Sequence, residues 1–192
     1  MSRISRWLPR AVFESFLIVV SIVVALAVNE WRERHARLER VAEARGVFVN
    51  EIESNRTLLR SEDYLPHHRR LQAEYERLAA ENSDAVGTLF ETGVHPAPLR
   101  DAAWRSFSAG ATLVDFGPAE LVMLSDIYRA QEDLARSNAN FLGQVVAPRS
   151  DREMPEYKRD QTRSISMYLN DVVPLEERLL HSYDAAVERL RP

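Results

Sequence analysis

The chain has 192 residues, 45% of them hydrophobic and 28% charged, with a formal net charge of −4 and no cysteine. That length suits one anchor plus one domain with a real core, and the hydrophobic fraction is ordinary, indicating neither a disordered chain nor a many-span protein. The acidic balance argues against a nucleic-acid-binding face, and the missing cysteines exclude disulfides, thiolate metal sites and a cysteine nucleophile while leaving the compartment open.

Residues 1–11 form a basic tail carrying Arg3, Arg6 and Arg10. Residues 12–28 follow as an apolar run interrupted only by Glu14, Ser15 and Ser21. Seventeen residues is the lower limit for a helix crossing a bilayer core, roughly 17–25 residues. Trp7 and Trp31 bracket the run as interfacial aromatics would. The expectation is a transmembrane helix at 12–28.

A cleaved signal peptide is the rival reading. The arginines make an n-region, the apolar run an h-region, and Ala25-Leu26-Ala27 fits small-x-small cleavage after Ala27. Against it, no helix breaker precedes Ala25, Glu14 interrupts the junction, and the helical pattern continues through Asn29 and Trp31. A retained anchor is the favoured reading. At helical spacing Glu14, Ser21, Ala25 and Asn29 share one side, a stripe of polar and small groups suited to a helix–helix contact in lipid. Pairing of Glu14 with Arg10 at headgroup depth is the alternative for that carboxyl. Lys158 is the one lysine among many arginines, a usage that suits a GC-rich bacterial genome. The short basic tail favours a cytoplasmic N-terminus, and together they lead to the expectation of a single-pass chain in a bacterial inner membrane with a periplasmic body.

Residues 29–64 are expected to continue as a stalk helix, with Leu38, Val41, Phe48, Ile52 and Leu59 at helical steps, ended by Pro66. Residues 65–192 should form a helical domain that packs with the stalk. Its second helix, 67–82, presents Leu71, Tyr75 and Leu78, and a Gly/Pro-rich loop follows at 83–98. A short helix at 99–109 carries Trp104 and Phe107, a turn fills 110–117, and Pro118 suits a first helical position. The helix 118–146 carries Leu121, Leu124, Ile127, Tyr128, Leu134 and Phe141. The last, 156–190, carries Tyr168, Leu169, Leu179, Tyr183 and Val187, with Pro174 expected to kink it. No alternating run suggests a strand. The fold class expected is all-α: a transmembrane helix continuing into a stalk and an antiparallel bundle of about four helices.

No catalytic constellation stands out. His67-His68 with Arg69 and Arg70 reads as a solvated basic corner, and Glu176-Glu177 as an ordinary helix face. Asn55-Arg56-Thr57 matches a glycosylation acceptor in a helical context that disfavours it. No phosphate loop, nucleophile elbow or zinc motif is present, so no catalytic, cofactor or metal residue is assigned and no cofactor is expected.

The stretch from Glu14 through the apolar run to Asn29 and Trp31 resembles the opening of a bacterial family of single-span membrane proteins known only as a domain of unknown function. Ala103-Trp104-Arg105-Ser106-Phe107-Ser108-Ala109-Gly110, with Glu120, Leu121 and Tyr128 beyond it, is similar to a later helix pair of that family. The chain departs at Ala27, where relatives tend to carry glutamine. The resemblance implies membrane topology, an uncleaved span and a helical body, and it brings no activity.

Two functions are expected from these features. The first is a non-enzymatic structural or interaction subunit, touching the bilayer and a second copy or another membrane protein, with no nucleic-acid partner. The second is a ligand-sensing module with a pocket near Trp104, Arg105 and Tyr128, signalling through a partner.

Overall fold

The computed structural model describes residues 8–81, 93–146 and 154–191, with side chains described for 12–81, 93–143 and 162–191. Trp7 and the tail arginines lie outside the described side chains, as does Val145. The chain is all-α, with no strand among the described residues. Its helices are α1 (Leu8–Arg60), α2 (Leu65–Ala80), α3 (Ala102–Ser108), α4 (Pro118–Val146) and α5 (Met154–Leu190), with a 3-10 turn at Thr112–Asp115.

The chain divides into two compact units, Met1–Glu43 and Ala44–Pro192, and the dividing point lies inside α1. In the first unit every side chain from 12 to 28 is exposed, apolar as most of them are. This helix is long and apolar enough to cross a membrane. Beyond it the surface turns polar, with Arg34 paired to Glu30 at 3.0 Å and Trp31 stacked on His35 at 5.7 Å.

In the second unit α1 changes character. Ala44, Phe48, Ile52, Asn55 and Leu59 are buried at steps of three or four, the spacing of one helix face. Leu38, expected in the same stripe, is 63% exposed and lies in the first unit. The helix ends at Arg60, and turns at Ser61 and Tyr64 lead into α2. Pro66 therefore opens α2 within its first turn, where its missing N–H costs nothing, and does not itself stop α1.

The long α5 is the axis of this unit, and three ladders of contacts fix its direction. Asn138 and Gln131 of α4 meet Tyr168 and Tyr183, so partners on α5 climb as those on α4 descend. His68 and Gln72 of α2 meet Glu176 and Asn170, and Arg60 and Glu53 of α1 meet Asp184 and Arg191. All three helices thus run antiparallel to α5, and the end of α1 and all of α2 take successive lengths of it in the same sense. Arg45 with Glu120 and Glu51 with Tyr128 show α1 parallel to α4. Pro174 is exposed on α5, which stays helical through it to Leu190.

Between α2 and α5 lies a pair that the sequence disguises. His68 and Glu176 are both fully buried, with Nδ1 3.0 and 3.1 Å from the two carboxylate oxygens. The expected solvated corner and ordinary helix face are corrected here. Arg69, Arg70 and Glu177 do stay in solvent, where the arginines meet Glu177 and Glu62. Arg69 and Arg70 lie about 100° and 200° around the helix from His68, so neighbours in sequence part into a wet face and a buried one.

A buried pair of this kind contributes little net stability when whole, but leaves an uncompensated polar group when halved. Glu176→Leu alone should lower the unfolding free energy by about 3–5 kcal/mol. Adding His68→Leu should recover most of that loss, as read by denaturant titration of both variants beside the parent chain.

Candidate functional site

The structure brings Trp104, Arg105 and Tyr128 together in the wall of one cavity of about 450 Å³. Its remaining wall includes Leu99, Asp101, Arg129, Gln131 and Leu134. The size falls within the range of small-molecule sites, roughly 300–1,000 Å³.

Two parts of the wall are tied to α1, while α4 also packs along α5. Glu51 accepts from the Tyr128 hydroxyl at 2.8 Å and, through its other oxygen, from the Ala103 N–H at 2.9 Å. One turn further, Asn55 donates to the Arg100 carbonyl at 2.7 Å and accepts from the Arg100 N–H at 2.8 Å. These two side chains hold residues 100–103 as a paired strand would, though no strand is there. They also bury the Asn55 amide and engage both its nitrogen and its oxygen, so the folded chain does not present that triplet at the surface. Phe48, in the preceding turns of the same face, packs on Phe107, Phe116 and Tyr128 at 5.3, 5.9 and 6.0 Å. The short α3, with no side-chain cap of its own, is thereby fixed against α1.

Within the cavity the Trp104 and Tyr128 rings stack at 5.2 Å, 15° from parallel. Arg105 is held by Asp101 at 2.8 Å, and Glu132 by Arg136 at 3.3 Å. Gln131 donates to the Tyr183 hydroxyl at 2.9 Å, while its Oε1 is buried with no partner among the described residues. That oxygen is closed off from solvent by the protein around it. The sequence gives no sign of it, since a glutamine inside a helix is ordinary until its neighbours are known.

The other sequence-predicted residues are not among those lining this cavity. Glu14, Ser21, Ala25 and Asn29 are all exposed on α1 in the first unit. Ser21 donates to the Leu17 carbonyl at 2.7 Å and Asn29 to Glu33 at 2.6 Å, both within the same helix. Among the described residues no cluster of three metal-ligating side chains occurs. His67, whose Nε2 lies 2.9 Å from the Gly93 carbonyl, stacks on His95 at 5.1 Å.

Searches of family models, of curated proteins and of solved structures return no match to this chain.

Burial pushes the phenols of Tyr128, Tyr168 and Tyr183 well above their ordinary value, helped at Tyr128 by the Glu51 carboxylate and at Tyr168 by Glu176. In the unfolded chain such phenols ionise near 10.0. A raised folded value means the stabilisation is whole below that pH and is lost as pH rises beyond it. Absorbance at the phenolate band should therefore show these three ionising together with loss of helical circular dichroism, not before it.

Proposed function

We propose that the chain is a single-span, membrane-anchored helical protein that acts as a structural or interaction subunit and has no catalytic activity of its own. The carrying observation is the run 12–28, in which every side chain is exposed and only Glu14 is charged. In water such a surface costs about 25 cal/mol per Å² of apolar area, a cost that a bilayer removes. The resemblance of residues 14–31 to a single-span opening supports the same reading, and so does the helix's unbroken passage across Ala27, where a signal peptide would be cut. The basic tail favours a periplasmic body at a bacterial inner membrane, with a secreted chain cleaved after Ala27 as the competing outcome.

Within that reading Glu14, Ser21, Ala25 and Asn29 form the contact stripe, toward a second copy or another membrane protein. Small residues let backbones approach, and polar side chains there find partners that hydrocarbon does not offer. Trp31 serves as the interfacial anchor on the body side, with Trp7 its counterpart outside the described residues. A second reading, ligand sensing through a partner, is favoured by the cavity at Trp104, Arg105 and Tyr128.

Crosslinking in membranes followed by sizing in mild detergent tests the first reading. An assembly larger than one chain is expected, and Ala25→Leu should shrink it by crowding the stripe. A strictly monomeric, partnerless particle would contradict the proposal.

A further inference from the structure

The stretch of α1 that follows the apolar run carries a seam that its own chain leaves open. We propose that a second copy of this chain packs along it, parallel and in register, as a two-stranded coiled coil over residues 31–42. The proposal rests on the interaction-subunit reading and names its partner and its geometry.

Among the described residues from 29 to 43, Trp31 and Leu38 are the large apolar side chains left exposed, at 66% and 63%. With His35 and Ala42 they recur at alternating steps of four and three, which puts His35 and Ala42 at the a positions of a heptad and Trp31 and Leu38 at d. The positions facing away hold Glu30, Glu33, Ala36, Arg37, Arg40 and Glu43, all charged except Ala36. A narrow apolar seam on a charged helix is the surface that a partner helix covers. Counted back at about 3.5 residues per turn, the a positions pass through Ser21 and Glu14, so the seam continues the contact stripe of the span.

Topology and charge specify the second copy. Two copies inserted the same way in one membrane run parallel, and spans held at one depth set the helices beyond them in register. In that arrangement each g position faces the next e of the partner. Here that g is Arg34 and the next e is Glu39, so two-fold symmetry forms an opposite-charge pair twice. Arg32, at the preceding e, faces Ala27 and meets no like charge. Within one chain Arg34 pairs with Glu30 at 3.0 Å and Glu39 lies 3.5 Å from the His35 Nε2, exposed contacts that cost little to exchange. His35, polar at an a position, meets its own copy only in register, the way such a residue fixes coiled-coil pairing.

The chain has no cysteine, so a single introduced thiol reports its own neighbours. The full chain in membranes is oxidised after Leu38→Cys, on the seam, or Arg40→Cys, on the far face, and read by non-reducing electrophoresis. Leu38→Cys should give roughly fivefold more disulfide-linked pairs of this chain than Arg40→Cys. In the Leu38→Cys background, Arg34→Glu or Glu39→Arg alone sets like charges across the seam and should cut the linked fraction about threefold. The two reversals together should restore it. Residues 34 and 39 do not face each other on one helix, where neighbours lie three or four apart, so restoration reads a contact between chains. Linking at 38 no greater than at 40, linking of 38 only to a different protein, or charge reversals that change nothing would each overturn the parallel seam. In those cases an assembly larger than one chain on sizing leaves the interaction-subunit reading standing, whereas a monomer removes both.

Discussion

Two side chains one turn apart on α1, Glu51 and Asn55, tie the segment 100–103 and the Tyr128 hydroxyl of the cavity to that helix. Their four hydrogen bonds reach the Tyr128 hydroxyl, the Ala103 N–H and both polar groups of the Arg100 backbone. Without them the seven-residue α3 and the segment before it would rest on packing alone, chiefly Phe48 with Phe107 and Trp104 with Tyr128. Backbone donors and acceptors that leave water need partners, and here the helix supplies those partners from its side chains. The stack of Trp104 on Tyr128 is a consequence: each ring is carried by an element that Glu51 fixes.

The same helix carries two chemistries in series. Residues 12–28 offer apolar side chains all round, while 44–60 bury one face and pair the other through Arg45, Arg56 and Arg60. A helix apolar on all sides has no core-facing direction, and one with a stripe does. On the proposed reading the first chemistry is matched to lipid and the second to the helical body. The buried pair of His68 and Glu176 then adds specificity where α2 meets α5, because a polar group in that position tolerates only one register.

How much was legible from the sequence follows from the range of each interaction. The stripes of α4 and α5 were readable because burial repeats every three or four residues, and Pro118 marked the start of α4. Trp104, Arg105 and Tyr128 could be grouped because two large aromatics on neighbouring helices seek the same interior. Leu38 misled, since periodicity continues past the point where anything packs against it. His68 misled in the opposite way: flanked by His67, Arg69 and Arg70 it looks solvated, and its partner lies 108 residues away. The clamp of Asn55 on Arg100 and the orphaned oxygen of Gln131 leave no local trace at all, because both are defined by what a distant segment brings or fails to bring.

The central claim is that residues 12–28 stay in the mature protein as its hold on the membrane. Intact-mass measurement of the protein recovered from isolated membranes tests it most directly. A membrane-bound species whose mass retains residues 12–28 is the predicted result. A soluble species beginning at Val28 would contradict the account.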